Sequence, residues 1–100
     1  MQTNEKKPPA PLIKITGLND NLDFLGTPLH VQTEYLDLPE AHVSTQVFRQ
    51  GRILLSRKAA LPPGICPAQD SEPIRALMRS QHSDVLSEIA EKQKRLQARP

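Results

Sequence analysis

Two stretches of the chain alternate apolar and polar residues with period two. In Leu29–Leu36, Leu29, Val31, Thr33 and Tyr35 alternate with His30, Gln32 and Glu34. In Ala41–Phe48, Val43, Thr45 and Val47 alternate with His42, Ser44 and Gln46. A half-buried antiparallel strand requires this pattern, because successive side chains point to opposite faces of the sheet. Asp37-Leu38-Pro39-Glu40 is short enough to join the two strands as neighbours. Arg49-Gln50-Gly51 then reads as a three-residue hairpin loop with Gly51 in the left-handed position. That loop sets Phe48 opposite Arg52, Val47 opposite Ile53, Thr45 beside Leu55 and Val43 beside Arg57. It predicts one apolar face built from Val31, Thr33, Tyr35, Val43, Thr45, Val47, Ile53 and Leu55. A two-residue turn would shift the third strand by one and spoil that agreement.

Beyond the sheet the period changes. Ala59–Asp70 is rich in proline and ends the strands. Ser71-Glu72-Pro73 is a helix start, with a capping side chain, an acid in the first turn and a proline where its missing N–H does no harm. Ile74, Leu77, Met78, Val85, Ile89 and Leu96 then recur at helical spacing, with Gln81 and His82 in the same stripe and Leu86 at its edge. Before the first strand, Leu12, Ile13 and Ile15 mark a short strand or an anchor, and Gly17 with Asn19-Asp20-Asn21 supplies turn chemistry. The fold class expected is α+β: a three-stranded antiparallel meander, or four-stranded with an N-terminal addition, packed against one long C-terminal helix. The sheet covers about 29–58, the loop 59–70 and the helix about 72–97 of a single domain over 12–100. The helix is longer than strands of about six residues, so its half from Ile89 onward is expected to overhang.

Composition narrows the picture. Residues 1–11 are polar and proline-rich, too poor in apolar side chains to order by themselves. No Trp, one Tyr and two Phe among 100 residues leave the core to aliphatic side chains, which points to added stability from a second copy or a partner. A net charge of +2 is too close to balance to assign a polyanionic partner. A lone cysteine, Cys66, excludes an intrachain disulfide and fits a reducing, cytoplasmic setting. No apolar run approaches a membrane span, and no signal-peptide pattern opens the chain.

Candidate chemistry is sparse. His30, Gln32, Glu34, His42, Ser44 and Gln46 share the polar sheet face. His30, Glu34 and His42 could bind Zn²⁺ or exchange protons only if they converged. A solvated face with cross-strand polar pairs is the simpler reading. His82 reads as a packed residue, and Cys66 lacks an activating base. Lys92, Lys94, Arg95 and Arg99 could touch nucleic-acid phosphates, although cations at a helix C-terminus are also what the macrodipole favours. No phosphate-binding, dinucleotide, metalloprotease or nucleophile-elbow motif occurs, which argues against an enzyme and calls for no cofactor or metal.

His30-Val31-Gln32-Thr33-Glu34, then Val43, Thr45, Val47 and Phe48, the hairpin Gly51, and Leu77-Met78 with Gln81-His82 together resemble a family of small uncharacterised bacterial proteins. These carry an HVQTE strand, a V-x-T-x-V-F strand and a C-terminal LM-x-x-QH helix. The resemblance covers about Leu29–Ile89 and departs in the loop Pro62–Pro67. It implies a cytoplasmic protein, free-standing or appended to regulatory or assembly proteins, and no particular activity. The function expected is a non-catalytic protein-interaction or adaptor module that self-associates or docks into a larger assembly. Its contact residues would be Val85, Ile89 and Leu96 on the distal helix and His30, Gln32 and Glu34 on the sheet. The alternative is a nucleic-acid-binding accessory protein using Lys92, Lys94, Arg95 and Arg99.

Overall fold

A computed structural model describes residues 15–67 and 69–98. The expected N-terminal arm, Leu12, Ile13 and Arg99 lie outside the described residues. Four strands, β1 (Leu18–Phe24), β2 (Thr27–Leu36), β3 (His42–Arg49) and β4 (Arg52–Ala60), precede one helix, α1 (Glu72–Gln97). The strands form an antiparallel meander in the order β1-β2-β3-β4. The α+β class and the helix bounds agree with the sequence pattern.

The fourth strand is the N-terminal one, and it occupies the segment expected to turn. Leu18, Leu22 and Phe24 alternate with Asn19, Asn21 and Asp23, and pairing with β2 overrides the turn propensity of the Asn and Asp residues. The reversal comes later, at Leu25-Gly26, where both residues have positive φ (52° and 86°). This suits the twist of a two-residue hairpin. Gly17 is held for a different reason: a Cβ there would lie 2.9 Å from the Thr33 carbonyl oxygen.

The β3–β4 hairpin also differs from expectation. Gln50 and Gly51, with φ of 51° and 80°, make a two-residue turn, so Arg49 pairs with Arg52 and Phe48 with Ile53. A bulge then inserts Leu54, and from Val47↔Leu55 onward the register runs Thr45↔Arg57 and Val43↔Ala59. The bulge adds one residue to the one-residue shift of the turn. Parity is restored, and Leu55 keeps the inward face. Ile53 does not: it pairs with Phe48 and is 54% exposed.

Helix α1 lies over the inward face. Its first half packs Ile74 and Met78 on Val43, with Ile15, Leu18 and Tyr35 around them. Further along, Val85 packs with Leu29, Val31 and Val47, and Leu86 and Ile89 add to that cluster. Ser71 makes no side-chain cap; Asp70 Oδ1 accepts the Glu72 N–H at 3.0 Å instead. Strands of seven to ten residues support more of the helix than expected. Ile89 is packed, and Gln93 Oε1 accepts the Leu25 N–H at 2.7 Å. The overhang therefore begins only after Gln93.

Candidate functional site

Helix and sheet meet through a polar chain as well as apolar contacts. Thr33 and Thr45 face each other across β2 and β3 and are fully buried. Their hydroxyl oxygens are 2.6 Å apart. Thr33 Oγ1 lies 2.7 Å from His82 Nδ1, and His82 Nε2 lies 2.7 Å from Asp20 Oδ2. Gln81 Nε2 donates to Thr45 Oγ1 at 3.0 Å and to the Arg57 carbonyl at 3.2 Å. A carboxylate only accepts, so His82 presents Nε2–H to Asp20. As a neutral ring it accepts at Nδ1 from Thr33. Each donor is then satisfied in one direction: Gln81 to Thr45, Thr45 to Thr33, Thr33 to His82, His82 to Asp20.

An Asp–His–Thr arrangement resembles a hydrolytic triad in its connectivity. Here, however, Thr33 has no exposed surface, and its hydroxyl is already engaged by Thr45 and His82. No substrate carbonyl can reach it. The chain of contacts instead fixes where the helix sits on the sheet. The helix covers the apolar face, so the sheet separates His82 from His30 and His42.

The outer sheet face carries His30, Gln32 and Glu34 as expected. His30 contacts Asn21 and Asn19 at 2.9 and 3.0 Å, and Gln32 Nε2 donates to Glu34 at 2.5 Å. His42 Nδ1 turns instead to the Glu40 carbonyl at 2.6 Å. Among the described residues no three His, Cys, Asp or Glu side chains are placed to hold a metal ion. The face is therefore paired within itself.

The inward face is different at β4. Helix α1 approaches β1, β2 and β3 but no part of β4 to within 8 Å between Cα atoms. The result is an open groove of about 430 Å³, with Phe24, Leu29, Val47 and Leu55 on its floor and Leu25, Leu54 and Ile89 on its walls. Its only charged lining residues are Arg49 and Lys92. A second depression continues from it past Val85, Glu88 and Arg95. Leu25 is 47% and Leu54 56% exposed. Arg57 bridges from β4 to the helix, donating to both Glu88 oxygens at 2.8 and 2.7 Å. That hydrogen-bonded guanidinium holds the Glu88 carboxyl below its ordinary range. Away from the groove, burial first and the nearby Asp37 carboxylate second push the Tyr35 phenol up to about 12.

Of the expected distal-helix contacts, Val85 is 1% exposed and belongs to the intrachain core, so it cannot anchor a partner. Ile89 lines the groove, and Leu96 is half-buried outside it. Lys92 and Arg95 border the two depressions, whereas Lys94 borders neither. Sequence reasoning missed Leu25, Arg49 and Leu54. Ile53-Leu54-Leu55, three apolar residues in a row, was the available sign of a bulge. It also missed Asp20, whose place in the alternating series Leu18, Asp20, Leu22 marks it as inward-facing.

No protein-family model, no curated protein and no solved structure matches the chain. Among the described residues no helix is long and apolar enough to cross a membrane.

Proposed function

We propose that the chain is a non-catalytic interaction module that docks into a larger assembly through the groove between α1 and β4. One observation carries this reading. The single helix covers three of four strands and leaves apolar inward-facing surface on the fourth uncovered, bordered by exposed Leu25 and Leu54. A contiguous apolar surface on so small a domain marks an interaction site. The sealed Thr33 hydroxyl agrees with a non-catalytic role. The resemblance to small bacterial proteins adds a cytoplasmic setting to the same reading.

Leu54→Asp tests it. Leu54 is exposed, so the thermal midpoint should hold, while proteins retained by the immobilised chain should be lost. Leu38→Asp, at a still more exposed position outside the groove, should retain them. Equal retention by both variants would overturn the proposal. Light scattering across about a tenfold concentration range completes the test. A dimer dispersed by Leu54→Asp would make a second copy the occupant.

A further inference from the structure

The groove runs on into the second depression, where the charges read the same from either end once their signs are exchanged. The charged residues lining that depression are Glu88, Glu91, Lys92 and Arg95, two acids followed by two bases. They stand at positions i, i+3, i+4 and i+7 of α1 and so form one stripe along the helix. A stripe balanced in this way selects neither a polyanion nor a polycation. Glu88 with Lys92, and Glu91 with Arg95, are also spaced for pairing within the helix. Among the described residues, however, Glu91, Lys92 and Arg95 join no ion pair. Glu88 is held by Arg57, which leaves a second lone pair on each carboxylate oxygen.

A two-fold axis crossing the helix between Glu91 and Lys92 matches this order to itself. In two antiparallel copies of α1 related by that axis, Glu88 faces Arg95 of the second copy and Glu91 faces Lys92 of the second copy, each pair occurring twice. A parallel pair would set every charge against its like. The same register places Leu96 of the second copy opposite Ser87, two residues and ~3 Å along the axis from Ile89. That leucine, half-buried on the overhang, thereby reaches the apolar wall of the groove. The two bodies do not compete for space, because each helix is tied to its own sheet only as far as Gln93. Each body therefore lies almost wholly N-terminal to the axis, and antiparallel copies extend in opposite directions.

We propose, building on the docking reading above, that the occupant of the groove is a second copy of this chain. The two copies join through antiparallel α1 helices over residues 88–97, with the two-fold axis between Glu91 and Lys92. Leu96 of each copy enters the groove of the other beside Ile89, and the charge pairs fix direction and register.

The test is sedimentation velocity of the full chain across about a hundredfold concentration range, where a monomer–dimer equilibrium is expected. Glu91→Lys and Lys92→Glu each set like charges across the axis twice, so each variant alone should dimerise at least about tenfold more weakly than the wild type. Mixed with each other, the two variants should restore the dimer, because every pair at these positions is again opposite in sign. Combining both substitutions in one chain should restore it too. Both positions are exposed, so thermal midpoints should hold, and a folding defect would not be cured by mixing. Four outcomes overturn the proposal. Variants that disperse the dimer but do not recombine would show that the charges act other than by pairing. A dimer indifferent to both reversals yet dispersed by Leu54→Asp would seat the second copy in another register. A chain monomeric throughout, with retained proteins still lost from Leu54→Asp, would reject the second copy and spare the docking reading. A monomer whose retained proteins ignore Leu54→Asp would reject both.

Discussion

Replacing Thr33 by Val removes one oxygen and almost no volume, yet it interrupts the polar chain at its centre. The hydroxyl donates to His82 Nδ1 at 2.7 Å and accepts from Thr45 at 2.6 Å, in a site closed to water. Without it both the imidazole acceptor and the Thr45 proton are stranded. Each unsatisfied buried group costs about 1–3 kcal/mol, so Thr33→Val should destabilise by roughly 2–4 kcal/mol. In a domain of this size that lowers the melting midpoint by about 10–25 °C.

Thr45→Val should cost less, about 1 kcal/mol. His82 keeps its donor in that variant, and Gln81 retains the Arg57 carbonyl at 3.2 Å. The double variant carries the sharper test. Once Thr33 is gone, the Thr45 hydroxyl is itself an orphan, and deleting it should return about 1 kcal/mol. Urea unfolding followed by far-ultraviolet circular dichroism gives all three values, provided the denaturant slope stays constant. A double variant at least as unstable as the sum of the singles would refute the donor order assigned to the chain, and with it the acceptor role of His82 Nδ1.

Three further outcomes are expected. Gly17→Ala must displace the Thr33 carbonyl and should cost about 1–3 kcal/mol, whereas Gly26→Ala meets nothing within 4 Å and should cost only the left-handed strain of about 1–2 kcal/mol; thermal unfolding of the pair separates crowding from strain. Tyr35 is the only tyrosine and there is no tryptophan, so near-ultraviolet absorbance reports its phenol alone. It should ionise near pH 12 in the folded chain, against 10.0 for a free phenol, and because the unfolded chain loses that proton first, stability should fall as pH rises above 10.0. Asp37→Asn should bring the value only part of the way back, since burial is the larger cause. For Glu88 the sign is opposite: its carboxyl is depressed in the fold, so the stabilisation it gives is complete above the ordinary value of 4.5 and fades as pH falls through the folded one. The midpoints of the wild type and Glu88→Gln should converge on acidification, and a gap that widens would refute the assignment.

Much of the architecture was legible because it is written in local periods. The alternation through Leu29–Tyr35 and Val43–Val47 fixed two strands and their inward faces. The spacing from Ile74 to Leu96 and the Pro73 start fixed the helix to within a residue. A strand buries one face and a helix one stripe whatever lies above them, so these readings needed no knowledge of the rest of the chain. Of the candidate surface, Ile89 and Lys92 were legible as flanks of an amphipathic helix end.

What the tertiary structure decided depends on contacts between distant residues. Asn19-Asp20-Asn21 has the composition of a turn, and only the waiting edge of β2 makes it a strand. The hairpin turn and the Leu54 bulge each shift β4 by one, and sequence spacing registers neither alone, because two errors of one residue restore the same face. Asp20 and His82 stand 62 positions apart, and no local pattern pairs them. The groove depends on where the helix crosses the sheet. Val85, an anchor by spacing, became core, and Leu54, which no spacing singled out, became surface at the groove, because one helix about 10 Å wide cannot cover four strands set about 4.8 Å apart.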